Sequence, residues 1–135
     1  MSETHLTNTR FDSFALDERV LSGLRDAGFT FCTPIQAEAL PLALEGKDVA
    51  GQAQTGTGKT AVFVVALLQH LLAREPPPQR KPTQPRALLV APTRELAVQI
   101  HKDTRVLAQY TDFRLGLVFG GTGYQQQRED LGRGV

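Results

Sequence analysis

Ala53-Gln54-Thr55-Gly56-Thr57-Gly58-Lys59-Thr60 is the stretch from which the rest of this chain can be read. A Gly-rich turn ending in Lys-Thr is suited to phosphate. Backbone N–H groups converge on the oxygens, Lys59 brings a point charge to the outer phosphates, and the Thr60 hydroxyl suits a magnesium ion. Gly56 and Gly58 permit backbone angles and a close approach that side chains block. The general pattern is G-x-x-x-x-G-K-[ST]; Ala53 stands at its first position, and Gly58, Lys59 and Thr60 are in place. The flanks are those the motif demands: Asp48-Val49-Ala50-Gly51 before it reads as a short strand. The apolar run Ala61 to Leu68 after it reads as a buried helix reaching about Arg74. The loop implies a nucleoside triphosphate and leaves open what hydrolysis would drive.

Upstream, Met1 to Arg10 reads as a loose polar tail. Asp17 is placed to cap a helix with Val20, Leu21, Leu24 and Ala27 on one face, ended by Gly28. Thr33-Pro34 opens a second helix with Ile35, Ala39, Leu42 and Ala43 on its apolar face; Pro41 should kink or divide it, and Gly46 closes it. Downstream, residues 75–85 form a basic, semi-rigid loop, because five of the eight prolines fall there (Pro76, Pro77, Pro78, Pro82 and Pro85). Ala87-Leu88-Leu89-Val90-Ala91 reads as a buried strand. Pro92 and Thr93 then turn into a helix carrying Leu96, Ala97, Ile100, Val106 and Leu107. Leu115 to Phe119 is a further strand, Gly120, Gly121 and Gly123 a turn, and Tyr124 to Leu131 a short polar helix. Strands alternating with helices predict an α/β domain, a parallel sheet with helices on both faces, with the phosphate loop after its first strand.

Composition narrows the setting. At 135 residues the chain is one domain or part of one, long enough to bury a core. A net charge of +1 gives no bulk attraction to nucleic acid, so any polyanion site must be local. Cys32 is the single cysteine, which leaves no disulfide within the chain and fits a reducing compartment. Met1 to Arg10 holds no secretory signal, and the apolar run after the loop is too short for a membrane span, so a cytoplasmic protein without a membrane partner is expected. The histidines, His5, His70 and His101, are scattered and form no metal cluster with Cys32.

Four separated motifs together resemble the DEAD-box RNA helicases of superfamily 2. Residues 28–36, Gly-Phe-Thr-Phe-Cys-Thr-Pro-Ile-Gln, resemble the adenine-reading Q motif. Residues 53–60 match the family's A-x-T-G-x-G-K-T loop, in which a leading alanine is usual. Pro92-Thr93-Arg94-Glu95-Leu96-Ala97 resembles motif Ia, and Gly120-Gly121 the double glycine. The resemblance implies a RecA-like P-loop domain over residues 11–135, incomplete, with ATP and Mg2+ as cofactors. It implies that the Gln36 amide pairs with the adenine edge, that the Thr30 carbonyl faces the base, and that Ala53 to Thr60 hold the phosphates. Phe11 stands where the family stacks an aromatic on adenine; stacking and core packing both remain open for it, whereas Phe14 and Phe29 read as core. The resemblance also implies that Pro92, Thr93, Arg94, Gly120 and Gly121 grip the RNA backbone without reading sequence, that Glu95 braces the loop and that Leu96 is core. Thr-His-Leu-Thr near the start, Cys32 where most members have proline, and residues 48–53 resemble the branch found in the bacterial RNA degradosome. That implies RNase E as a partner, bound through a second domain.

No Asp-Glu-Ala-Asp, no Ser-Ala-Thr motif and no second RecA-like domain occurs in these residues. Phosphoryl transfer needs positioned metal, water and positive charge. The chain is therefore expected to bind nucleotide with little hydrolysis, within a parent that unwinds short RNA duplexes. An incomplete sheet with uncovered apolar surface is expected too. The alternative is a stand-alone nucleotide- or RNA-binding module without catalysis; a different P-loop NTPase is disfavoured by Gln36 in its setting.

Overall fold

The computed structural model describes residues 5–121 and 123–135; residues 1–4, the start of the expected tail, and Thr122 lie outside the described residues. After a 3-10 turn at Phe11–Ser13 come five helices: α1 (Glu18–Asp26), α2 (Pro34–Leu44), α3 (Lys59–Leu72), α4 (Arg94–Leu107) and α5 (Tyr124–Gly132). Local chemistry sets their ends. The Asp17 carboxylate accepts from the Arg19 N–H at 2.9 Å and caps α1. Both α1 and α2 close in a Schellman motif with glycine just past the end. Phe29 N–H donates to the Leu24 carbonyl at 2.9 Å and Lys47 N–H to the Leu42 carbonyl at 3.1 Å.

The core lies where α2 packs on α3, with α1 bridging α3 and α4. α3 is apolar nearly all round and occupies the centre. Val64, Val65 and Leu68 are fully buried with Leu40, Val20 and Leu24 around them, each side chain contributing about 1.5–3 kcal/mol by leaving water. α4 buries Ile100, Thr104 and Leu107 on one stripe. Arg86 stabilises the end of α3 from outside: its Nη2 donates to the Leu71 carbonyl at 3.1 Å and the Arg74 carbonyl at 2.8 Å, where the helix leaves acceptors unpaired.

The expectations for the strands, for Pro41 and for Leu96 are corrected. The segments 48–51, 87–91 and 115–119 carry no strand ladder among the described residues, in which the one β-bridge joins Arg10 to Phe31. A strand needs a hydrogen-bonded neighbour as well as a suitable sequence, and these segments have none here. Residues 87–91 are not buried either, since Leu88 and Val90 are each 82% exposed. That agrees with the expectation of an incomplete sheet with apolar surface left open. Pro41 does not divide α2, which runs from Pro34 to Leu44; it lies in the last turns, where a missing N–H donor removes only one bond, that to Ala37. Leu96 is 40% exposed rather than core, because the stripe α4 turns inward starts one turn later, at Ile100.

The expected loose tail is held from Thr7 onward: Thr7 N–H donates to the Cys32 carbonyl and Cys32 N–H to the Thr9 carbonyl, both at 2.8 Å. The Pro-rich loop is also tied down. Arg80 Nη2 donates to the Val135 carbonyl at 2.5 Å, and Val135 N–H to the Pro82 carbonyl at 2.9 Å.

Candidate functional site

The phosphate loop enters α3 through two glycines in the left-handed region, Gly56 at φ 85° and Gly58 at φ 83°. Gly58 has a second constraint, because a Cβ there would collide with the Gln36 side-chain amide. Nothing lies within 4 Å of a Cβ built on Gly56, so the space in front of that residue is open to a phosphate group. Within the loop, Thr57 Oγ1 donates to the Gln54 carbonyl at 2.6 Å and Lys59 Nζ donates to the Ala53 carbonyl. The lysine head therefore already points across the concavity of the loop. Lys59 and Thr60 form the first turn of α3, where free N–H groups and the helix dipole favour an anion. Thr55 lies exposed in the turn itself.

Gln36, at 1% exposure, is a buried link between residues 28–36 and the loop. Its Oε1 accepts from the Thr33 N–H at 2.8 Å and its Nε2 donates to the Gly58 carbonyl at 3.1 Å. An amide has two donor hydrogens and two lone pairs on its oxygen, so these two bonds use one donor and one acceptor of the Gln36 amide. Thr33 adds a second tie, its Oγ1 donating to the Thr57 carbonyl at 2.7 Å. Sequence reasoning took Thr33 only as a helix cap. A hydroxyl adjacent to a proline-initiated helix carries no signal that its partner lies 24 residues on.

Phe11 is 2% exposed and meets Phe29 edge-on, ring centroids 5.6 Å apart. Its N–H donates to the Thr30 carbonyl at 3.1 Å. The structure thus brings Phe11 and Thr30 together, with the Phe11 ring packed into the core and the Thr30 carbonyl engaged by backbone. Cys32 beside them is fully buried, and burial pushes its thiol pKa up.

The second group of predicted residues also meets. Thr93 caps α4, its Oγ1 accepting from the Leu96 N–H at 3.2 Å. Arg94 Nη2 donates to the Gly120 carbonyl at 2.6 Å, and its guanidinium lies 5.0 Å from the centre of the Phe119 ring. Pro92, Thr93, Arg94, Gly120 and Gly121 are all exposed. They form one surface of hydroxyl, guanidinium and glycine backbone, groups that bind phosphate without discriminating bases. Glu95 is exposed, and among the described residues no hydrogen bond joins its side chain to the loop. Among the described residues no group of three or more His, Cys, Asp or Glu is placed to hold a metal, and no helix is long and apolar enough to cross a membrane.

The sequence profile described as DEAD/DEAH box helicase matches residues 33–135. The ATP-dependent RNA helicase RhlB of Shewanella pealeana is 56% identical over 135 residues, which is 100% of this chain and 31% of that protein. RhlB of Enterobacter sp. (strain 638) is likewise 56% identical, across 100% of this chain and 32% of its own length. The chain therefore spans about a third of these relatives. Among solved structures, the RNA helicase Prp28 from Chaetomium thermophilum bound to ADP superposes with a TM-score of 0.78 at 33% identity, covering 99% of this chain and 32% of that one. A DEAD box protein from the hyperthermophile Methanococcus jannaschii gives 0.72 at 28% identity, covering 90% and 32%. The fold is that of these neighbours, a RecA-like P-loop NTPase domain, although the described residues carry only its helices as regular elements.

Proposed function

The chain belongs to the DEAD/DEAH box helicase family, and from that membership we propose that residues 11–135 are the ATP-binding portion of the first domain of an RNA-dependent ATPase that separates short RNA duplexes. The observation that carries this reading is the hydrogen bond from buried Gln36 to the Gly58 carbonyl, which joins a base-reading amide and a phosphate loop in one site. Gln36 uses its remaining donor and acceptor on the adenine edge, beside the Thr30 carbonyl. The burial of Phe11 favours a supporting role for that ring over stacking on the base. The loop from Ala53 through Gln54, Thr55, Gly56, Thr57 and Gly58 surrounds the phosphates with N–H groups. Lys59 exchanges the Ala53 carbonyl for a phosphate oxygen, and the Thr60 hydroxyl is the ligand this chain offers to Mg2+. ATP supplies the transferable phosphoryl group when bound; the residues of this chain hold and orient it.

Pro92, Thr93, Arg94, Gly120 and Gly121 hold the RNA backbone in this reading. Their non-selective chemistry supports RNA unwinding without sequence preference. The likeness to proteins named ATP-dependent RNA helicase RhlB supports a parent protein with that activity; a place in cytoplasmic RNA degradation with RNase E and the degradosome is part of the proposal.

Equilibrium binding of ATP and GTP tests the proposal. The chain binds ATP more tightly than GTP; Gln36→Ala removes the preference, and Lys59→Ala weakens both nucleotides by at least about tenfold, the loss of a charge-assisted hydrogen bond. Unchanged affinity in Lys59→Ala would sink the cradle assignment. The 135-residue chain alone hydrolyses little ATP, and a rate rising with added RNA would contradict that part of the proposal.

A further inference from the structure

The segment Thr7–Arg10 runs beside residues 30–32, and Thr7 ties the two together. Thr7 grips the Cys32 carbonyl twice, through its N–H at 2.8 Å and its Oγ1 at 2.8 Å, while the same Oγ1 accepts from the Thr9 N–H at 3.2 Å. The Cys32 carbonyl and the Thr33 N–H belong to one planar peptide group. On its other side that group donates to Gln36 Oε1 at 2.8 Å, and the Gln36 amide donates from Nε2 to the Gly58 carbonyl at 3.1 Å. A continuous relay therefore runs from the Thr7 hydroxyl through one peptide and one side-chain amide into the phosphate loop. Loading a carbonyl with two donors polarises the N–H of the same peptide, so bonds in such a chain strengthen one another. The direction matters as well. With the Thr33 N–H presented to it, the Gln36 amide keeps its oxygen toward Thr33 and its NH2 toward Gly58, and this fixes which donor and which acceptor are left for a base.

We infer that Thr7 is a positioning residue for nucleotide recognition, setting the amide orientation of Gln36 and hence the discrimination of adenine from guanine. The inference rests on the nucleotide-site reading above and extends it to a residue outside every motif. Adenine and guanine share the N7 acceptor on the edge concerned and differ at position 6, a donor in adenine and an acceptor in guanine, so an amide free to turn over loses selectivity rather than all affinity. Cys32 allows the arrangement, because its N–H donates to the Thr9 carbonyl at 2.8 Å, a bond that a proline at that position lacks.

The test is equilibrium titration of the 135-residue chain with fluorescent ATP and GTP analogues, with thermal melting in parallel. Thr7→Val removes the hydroxyl and keeps the shape and the N–H. It is expected to reduce the ATP-to-GTP preference about three- to tenfold, the scale of one net hydrogen bond, with little change in melting temperature. Thr7→Ser is expected to restore the preference, and removal of residues 1–7 to lower it at least as far as Thr7→Val does. A preference unchanged in both Thr7→Val and the truncated chain, or an equal loss for both nucleotides, overturns the inference while leaving the nucleotide site intact, provided Lys59→Ala still weakens binding of both nucleotides. If the unsubstituted chain binds neither analogue, or Lys59→Ala binds as it does, the nucleotide-site reading fails and this inference fails with it.

Discussion

Asp17 shows how much one side chain can hold at the edge of this core. Its carboxylate accepts from the Arg19 N–H and pairs with the Arg19 guanidinium at 2.9 Å, and its own N–H donates to Gln69 Oε1 at 2.7 Å. The Arg19 side chain first, and then the Arg19 N–H, pull the Asp17 pKa down to about 2. An unfolded aspartate titrates near 3.9. The folded value is the lower, so the stabilisation is fully present above about pH 4 and is lost as pH falls toward 2. Asp17→Asn keeps a capping oxygen and removes the charge. In urea unfolding its deficit relative to the unsubstituted chain should be about 1 kcal/mol or less at pH 7, since the pair is at the surface, and should shrink as pH falls from about 4 through about 2. A deficit that stays constant with pH would show that the carboxylate contributes only as a cap. The cap itself could be read from sequence, because Asp17 and α1 are adjacent. The tie to Gln69 could not, since nothing local marks a partner 52 residues away.

At the scale of elements, α1 and α4 approach so closely that Gly23 has no room for a side chain. A Cβ there would lie 2.9 Å from the Leu107 carbonyl carbon and 3.1 Å from its Cα, both backbone atoms that cannot move aside alone. In an exposed helix, Gly to Ala gains about 1 kcal/mol. Here the clash outweighs that gain, and Gly23→Ala should destabilise the chain by about 1–3 kcal/mol, the usual cost of overpacking, measured as a lower urea midpoint at unchanged slope. A rise in the midpoint would mean that α4 shifts freely and that the helix pair is looser than drawn. The helices themselves were legible in advance, because Asp17, Thr33-Pro34, Thr93, Gly28 and Gly46 mark their ends within a few residues. The strands do not form among the described residues for the opposite reason. Apolar runs such as 87–91 signal a preference, whereas a ladder is a relation between segments distant in the chain.

Across the whole molecule, the two candidate surfaces were also legible unequally. Gln36 meets the Gly58 carbonyl beside Lys59 because each lies at the start of a helix that the core fixes in place. The contributions of Thr33 and Thr7 lie in long-range bonds to carbonyl groups, which no residue pattern announces. What the molecule leaves open is the apolar segment around Leu88 and Val90. This exposure yields a prediction that separates the chain as it stands from a longer protein of the same family, of which it spans about a third. In the 135-residue chain, Val90→Lys removes no buried contact and should change stability by less than about 0.5 kcal/mol. It should also reduce concentration-dependent association, because a charge on an unpaired apolar segment opposes edge-to-edge pairing. In the longer protein a completed parallel sheet would cover this segment on both faces. There the same lysine would place an unpaired charge in a core and should cost at least about 3 kcal/mol. Urea unfolding of both proteins, with light scattering of the shorter one, reads the difference. A comparable cost in the two would mean that Val90 is already packed in the short chain, and that its sheet is more complete than the 82% exposure of this residue allows.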